Sequence, residues 1–369
     1  MAVLLLLPVV VLMIVGLGAL LSASSVLAIR EGKADNLFYF KRQIVWTGLG
    51  LISLVVGARI PYRWYRRAAI PIFLVAIAGL MATLVIGDVR GGSQRWIEFG
   101  PVTIQASEFA KFAVVVMLAM ILARKESYLD TFGHVFSPVA LTVGTVGALL
   151  MLQPDFGTTV LITASAFTIL AVSTARIRHV AGLGLAGLSA GALLAVAAPY
   201  RLERVTSFLD SNPDILGDGY HVHQSLVALG TGGWFGVGLG ASRARWSFLP
   251  NAHSDFIFSI IGEETGLAGS LAVIALFMVL AAVGTMIALR AQDQFGRLLA
   301  IGLVSWLTFQ ALVNIGGVVR VLPITGVPLP FVSAGGSAMI ANLFAVGVLI
   351  NIARISMAAP QHSKREKTA

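Results

Sequence analysis

Apolar runs of about 20 residues recur from one end of this chain to the other, and they leave few architectures open. A helix needs about 20 apolar residues to cross hydrocarbon, whereas a barrel strand needs about 10 with strict alternation. The runs here are continuous rather than alternating, so an all-α integral membrane protein is expected. Ten transmembrane helices are expected, near residues 3–28, 43–58, 68–87, 107–123, 135–152, 157–175, 179–199, 256–289, 298–319 and 335–357. The eighth is too long for a bilayer and is expected to begin outside it. The first resembles a signal peptide, but its apolar run is too long, no basic segment precedes it and many spans follow.

Only 12% of residues are charged, against about 25% in soluble proteins. There is no cysteine, which excludes disulfides, thiolate metal sites and thiol nucleophiles. An even number of spans puts both termini on one side. The segments on that side hold fourteen Lys and Arg against four acids, including Arg354, Lys364, Arg365 and Lys367 near the C-terminus; the other side holds twelve against thirteen. Positive residues concentrate inside, so both termini are expected to be cytoplasmic. The first outer loop, with Arg30, Lys33, Lys41 and Arg42, runs against this. The net charge of +9 therefore does not imply nucleic acid, since no basic run is interleaved with aromatics. The expected organisation is one polytopic membrane domain over 1–357 and a basic cytoplasmic tail over 358–369.

Two outer segments stand out. Residues 88–106 read as an ordered loop with Trp96, Phe99 and Pro101, and residues 200–255 form a large extracytoplasmic loop between helices 7 and 8. Within it, 224–241 is apolar but has six glycines between 230 and 240. Each interior glycine costs a helix about 1 kcal/mol against alanine, so a re-entrant or interfacial segment fits better than a span. No internal repeat is evident.

Charge in hydrocarbon costs about 2.5–3.5 kcal/mol at a helix centre, so acids at span ends are candidates for a function. Five lie at the outer ends: Glu108, Asp155, Asp255, Glu263 and Glu264. Asp255 leads into the eighth span, where a helix cap facing water is the simpler reading. Glu108 and Lys111, at i and i+3, share a helix face and make either a structural ion pair or a substrate contact. Ser107 is the expected N-cap there. Asp155 sits in the Gln153-Pro-Asp-Phe-Gly-Thr158 turn, where it caps the sixth span or serves a function. Of Glu263 and Glu264, one is expected to face the bundle and the other the interface. Ser333 and Ser337 flank the start of the last span, an anion cradle or a plain helix entry. His253-x-Asp255 admits a divalent ion, although two ligands do not make a site. His221-x-His223 points to opposite faces if extended, and Gly236-x-Gly238-x-Gly240 is no dinucleotide fingerprint.

Several stretches, in order over essentially the whole chain, resemble the SEDS family (shape, elongation, division and sporulation). They are Gln94-Arg-Trp-Ile97, Gln105-x-Ser-Glu-Phe-Ala-Lys111, Gln153-Pro-Asp-Phe-Gly-Thr158, Leu249-Pro-x-Ala-His-x-Asp-Phe-Ile-Phe258, Gly262-Glu-Glu264, Asn314-Ile-Gly316 and Leu322-Pro-Ile-Thr-Gly-Val-Pro-Leu-Pro-Phe331. Residues 225–240 read more like the FtsW branch than the RodA branch. Ala106, Ala334 and Arg320 depart from the usual pattern but touch none of the acids.

The resemblance implies a ten-span peptidoglycan glycosyltransferase of the bacterial cytoplasmic membrane. Such an enzyme polymerises lipid II on the outer face beside a class B penicillin-binding protein, a transpeptidase. It places the family's essential aspartate at Asp255, a functional pair at Glu108 and Lys111, and a sensitive acid at Asp155. Asp255 is then the expected general base. Lys111, Arg95, Arg204 and a divalent cation (Mg or Mn) are the candidates for the leaving pyrophosphate, with His253, Glu263, Glu264, Ser333 and Ser337 in support. No organic cofactor is expected. The rival readings are a lipid II flippase and a non-catalytic scaffold for the transpeptidase.

Overall fold

Each of the ten apolar runs is helical. A computed structural model describes residues 1–30, 35–90, 93–100, 102–125, 132–196, 208, 220–244 and 254–358. The helices in these runs are α1 (Ala2–Arg30), α2 (Phe38–Arg59), α4 (Ala69–Ile86), α5 (Ala106–Arg124), α6 (Phe132–Leu152), α7 (Phe156–Val172), α8 (Ile177–Val196), α10 (Ile257–Leu289), α11 (Gln294–Val318) and α12 (Gly336–Ala358). Two short additions are α3 (Tyr62–Arg67), before α4, and α9 (Tyr220–Gly232). Among the described residues six helical stretches are long and apolar enough to cross a membrane, and two shorter apolar ones accompany them. Helices satisfy their own backbone groups where no water can, and the chain is a multi-pass, all-α membrane protein.

Two of the basic junctions meet at one end. Tyr62 OH donates to Asp293 Oδ2 at 2.7 Å, and Arg63 Nε lies 3.4 Å from the same oxygen. Tyr62 N donates to Asn351 Oδ1 at 2.9 Å, and Gln292 Nε2 donates to Ile355 O at 2.7 Å. The α2–α3 and α10–α11 junctions therefore meet the C-terminal part of α12, as the positive-inside pattern of the sequence requires.

At the opposite end, the segment read as an ordered loop is a small antiparallel sheet, β1 (Asp88–Arg90), β2 (Ser93–Phe99) and β3 (Val102–Ile104). Asp88 pairs with Trp96 and Ile97 with Ile104, so β2 pairs with β1 through its first half and with β3 through its second. β3 runs almost directly into α5, which moves the helix start one residue earlier than the sequence suggests. Gln105 is the N-cap, without a side-chain cap, and Ser107 lies inside the first turn rather than capping it.

Two close approaches shape the bundle. α2 and α12 pack backbone to backbone at Gly57 and Gly347: a Cβ on Gly347 would stand 2.2 Å from Leu54 O, and one on Gly57 2.7 Å from Phe344 O. The second joins the glycine-rich segment to α10. α10 breaks at Gly266 (φ 72°, ψ −166°), inside the run expected to begin outside the bilayer. Across the break Val237 N and Gly238 N donate to Glu263 O and Glu264 O, while Leu267 N and Ala268 N donate to Gly233 O and Trp234 O. Four reciprocal bonds thus satisfy two irregular segments. α9 has 13 residues, about 20 Å, short of the ~30 Å hydrocarbon core. It is not a span by itself.

Candidate functional site

Asp255 lies in the turn Ser254–Phe256 that enters α10. The helix is capped by Phe256, without a side-chain bond, so Asp255 does not spend its carboxylate as the cap. It is half-buried, followed by the buried Phe256 and Ile257. The backbone of the turn is held from two sides: Ser333 Oγ donates to Ser254 O at 2.5 Å, and Asn314 Nδ2 donates to Asp255 O at 2.9 Å. The carboxylate faces the irregular segment between α11 and α12, where a Cβ on Gly326 would lie 3.7 Å from Asp255 Oδ2. A shallow pocket, with enclosed room for no more than about one water, opens between Asp255, Asn314, Thr325 and Gly326.

That segment, residues 322–335, is rich in proline, and buried Val327, Leu329, Phe331 and Val332 fasten it into the bundle. α11 supplies partners for its carbonyls. Gln310 Nε2 donates to Pro328 O at 2.9 Å and Asn314 Nδ2 to Val327 O at 2.8 Å. The two amides are at i and i+4, one turn apart on the same face. Gln310 Oε1 in turn accepts from Trp306 Nε1 at 2.9 Å and from Lys111 Nζ at 2.8 Å.

Lys111 and Glu108 form the buried pair expected from their spacing. Nζ stands 2.8 Å from Glu108 Oε2, both side chains are at most 2% exposed, and the ammonium lies 5.1 Å from the centre of the Trp306 ring. The approach to Oε2 is off the hydrogen-bond axis, which leaves that oxygen without a well-directed donor. A chain of polar contacts therefore runs from Glu108 through Lys111 and Gln310 to the 327–328 carbonyls, and through Asn314 to Asp255.

Asp155 caps α7, accepting from Thr158 N at 3.3 Å. Arg95, reaching over from β2, clamps the same turn. It donates to Pro154 O and to Gln153 O, and its Nη1 is 3.6 Å from Asp155 Oδ1. Asp155 is 2% exposed, and its Oδ2 has no hydrogen-bond partner. Next to it Gly157 packs on Thr325 and Val327, so the Asp155 turn and the Asp255 turn press on the same segment from different sides.

Glu263 and Glu264 are both buried, where the sequence suggested that only one faces the bundle. Glu263 accepts from Ser242 Oγ at 2.5 Å, Arg243 N at 2.9 Å and Ala244 N at 3.1 Å, which pins the chain that leads toward Asp255. Glu264 accepts from Ser22 Oγ of α1. Both fit into the bundle because α10 is unwound beside them and α1 crosses there.

The hydroxyls of Ser333 and Ser337 are committed to backbone rather than forming an open cradle. Ser333 Oγ also accepts from Leu329 N at 2.8 Å, and Ser337 Oγ accepts from Gln105 N at 3.0 Å. Arg204 and His253, residues 245–252 and the tail from 359 lie outside the described residues. Among the described residues no three His, Asp or Glu side chains converge to hold a metal. The sequence reading assigned no role to Gln310, Trp306 or Asn314. The available signal was a pair of amides one turn apart in an otherwise apolar helix.

The arrangement offers one carboxylate at the rim of a shallow pocket, on a turn whose backbone accepts bonds from Asn314 and Ser333, and a buried cation joined to the neighbouring segment through Gln310. The family described as cell cycle protein, comprising FtsW, RodA and SpoVE, matches residues 2–358. The chain is 40% identical to stage V sporulation protein E of Bacillus subtilis over 94% of both chains. It is 38% identical to the probable peptidoglycan glycosyltransferase FtsW of Geobacter metallireducens, over 90% of this chain and 88% of the relative. Among solved structures, a chain from one described as the structural coordination of polymerization and crosslinking by a peptidoglycan synthase complex superposes with a TM-score of 0.78. That match is 28% identical and covers 95% of this chain and 97% of the other. The rod shape determining protein RodA of Thermus thermophilus matches with a TM-score of 0.70 at 28% identity, over 95% of both chains. The likeness extends over nearly the full length in every case, and the chain belongs to the FtsW/RodA/SpoVE family.

Proposed function

We propose that this protein is a peptidoglycan glycosyltransferase of the bacterial cytoplasmic membrane that polymerises lipid II on the outer face, with Asp255 as general base. Family membership and the named relatives support the reaction class. The observation that carries the residue assignment is the Asp255 turn: its carboxylate is not used as the helix cap, lies at the pocket rim and is carried on a backbone bonded from α11 and the 322–335 segment.

A sugar hydroxyl of one lipid-linked disaccharide attacks the anomeric carbon of a chain linked to polyprenyl pyrophosphate. Asp255 accepts the hydroxyl proton as the new C–O bond forms, and the bond to pyrophosphate breaks with inversion. A base in hydrogen-bond reach contributes typically 10²–10⁴-fold. A divalent ion, Mg or Mn, is proposed to arrive mainly on the substrate's pyrophosphate. Mg commonly binds through one or two carboxylates plus phosphate oxygens. The proposed partner is a class B penicillin-binding protein that crosslinks the product.

The test is labelled lipid II incubated with the purified protein and its co-purified transpeptidase, in detergent and in liposomes. Glycan polymer is the expected product. Movement of lipid II across the liposome membrane without polymer would instead establish a flippase, and neither product a scaffold.

A further inference from the structure

Two carbonyls from separate stretches of chain meet on one side chain, that of Asn314. Its Nδ2 lies 2.9 Å from Asp255 O and 2.8 Å from Val327 O, and the residue is buried. Both amide hydrogens are thereby engaged. Turned over, the amide would set its own oxygen against two carbonyls, so the contacts fix its orientation. Asn314 Oδ1, in contrast, is buried without a hydrogen-bond partner. Leucine would occupy similar space without leaving a desolvated acceptor, so packing alone does not call for an amide here.

We propose that Asn314 is a positioning residue for Asp255, fixing the carboxylate-bearing turn against the segment that the carboxylate faces. The proposal rests on the reading of Asp255 as general base. Asn314 bonds the carbonyl of residue 255 and not its carboxylate, so it takes no part in the proton transfer itself. Its second bond goes to Val327, directly after Gly326, whose backbone lies beside Asp255 Oδ2. One amide thus sets the spacing between the residue that carries the carboxylate and the backbone next to that carboxylate. Ser254 O is held separately by Ser333. Losing the Asn314 bonds therefore removes the tie between residue 255 and residue 327 while Ser333 and the buried Phe256 still hold the turn in place. A displacement of about 1 Å at a reacting group can cost on the order of 10²-fold in rate.

The test compares Asn314→Leu and Asn314→Asp with wild type and Asp255→Asn, each purified with the transpeptidase partner. Polymerisation of labelled lipid II supplies kcat, KM and the pH profile, and melting reports folding. The two Asn314 variants differ in polarity and share the loss of the N–H pair, so either one that folds carries the test. The expected result is a 10- to 100-fold lower kcat per folded molecule, a KM within twofold of wild type and an acid limb of the kcat profile moved from its wild-type position. A lower melting temperature with unchanged kcat and an unchanged acid limb would mean a structural role only and overturn the proposal. Asp255→Asn separates the two ideas. If it keeps wild-type kcat, the general-base reading falls; if it is inactive while the Asn314 variants keep kcat within twofold, the positioning role alone falls.

Discussion

Lys111 is among the largest fully buried side chains described, and its charge is matched within the bundle by Glu108, Gln310 and the face of Trp306. Removing one member of a buried pair costs about 3–5 kcal/mol, because the other charge stays behind without compensation. Lys111→Met is therefore expected to lower the melting temperature of the purified protein sharply, and pairing it with Glu108→Gln should recover much of the loss. Equal melting of the single and double variants would mean that Glu108 is not the partner that matters. At this scale the sequence is informative where spacing is local. Glu108 and Lys111 at i and i+3 announce their pairing, and the turn at 153–158 announces a cap at Asp155. The partners of Gln310 and Asn314 were not legible, because they come from carbonyls of 255, 327 and 328, and nothing in a helix sequence says which distant backbone it will meet.

The elements most open to misreading are those with broken backbone. Six glycines argued against a span over 224–241, and the structure has a short helix followed by a turn bonded to the unwound part of α10. The clasp requires two of the glycines, Gly232 and Gly236, which lie against the backbone of Gly262 and Glu264. Gly236 has φ +81° and a Cβ there would stand 2.1 Å from Glu264 O. Gly236→Ala should therefore lose at least about 1–2 kcal/mol from the left-handed backbone alone, with the clash added. Gly48→Ala is the control: nothing lies within 4 Å of the added methyl, and no loss is expected. Melting curves of the two variants decide it, and similar curves would contradict the clasp. The sheet at 88–104 escaped the sequence reading because its strands have three, seven and three residues, too short for alternation to stand out.

For the whole molecule, the recurrent apolar runs were enough to show a multi-pass helical membrane protein, and among the described residues six helices are long and apolar enough to cross, since bilayer thickness fixes the length needed. Orientation rests on charge asymmetry, and the chain's lack of cysteine makes it directly testable. A membrane-impermeant maleimide should label Glu98→Cys in the outer sheet of intact spheroplasts, and Gln292→Cys only after permeabilisation. The reverse pattern would invert the molecule and put Asp255 on the wrong side for an outer-face polymerase. The segment from 322 to 335 then gathers both candidate carboxylate turns and the buried pair into one outer site, a convergence that linear motifs do not display. The most direct measurement is glycan polymerisation from labelled lipid II by the wild-type complex and by a folded Asp255→Asn complex. The account predicts long polymer from the first and none above background from the second; polymer from both at comparable rates would contradict it.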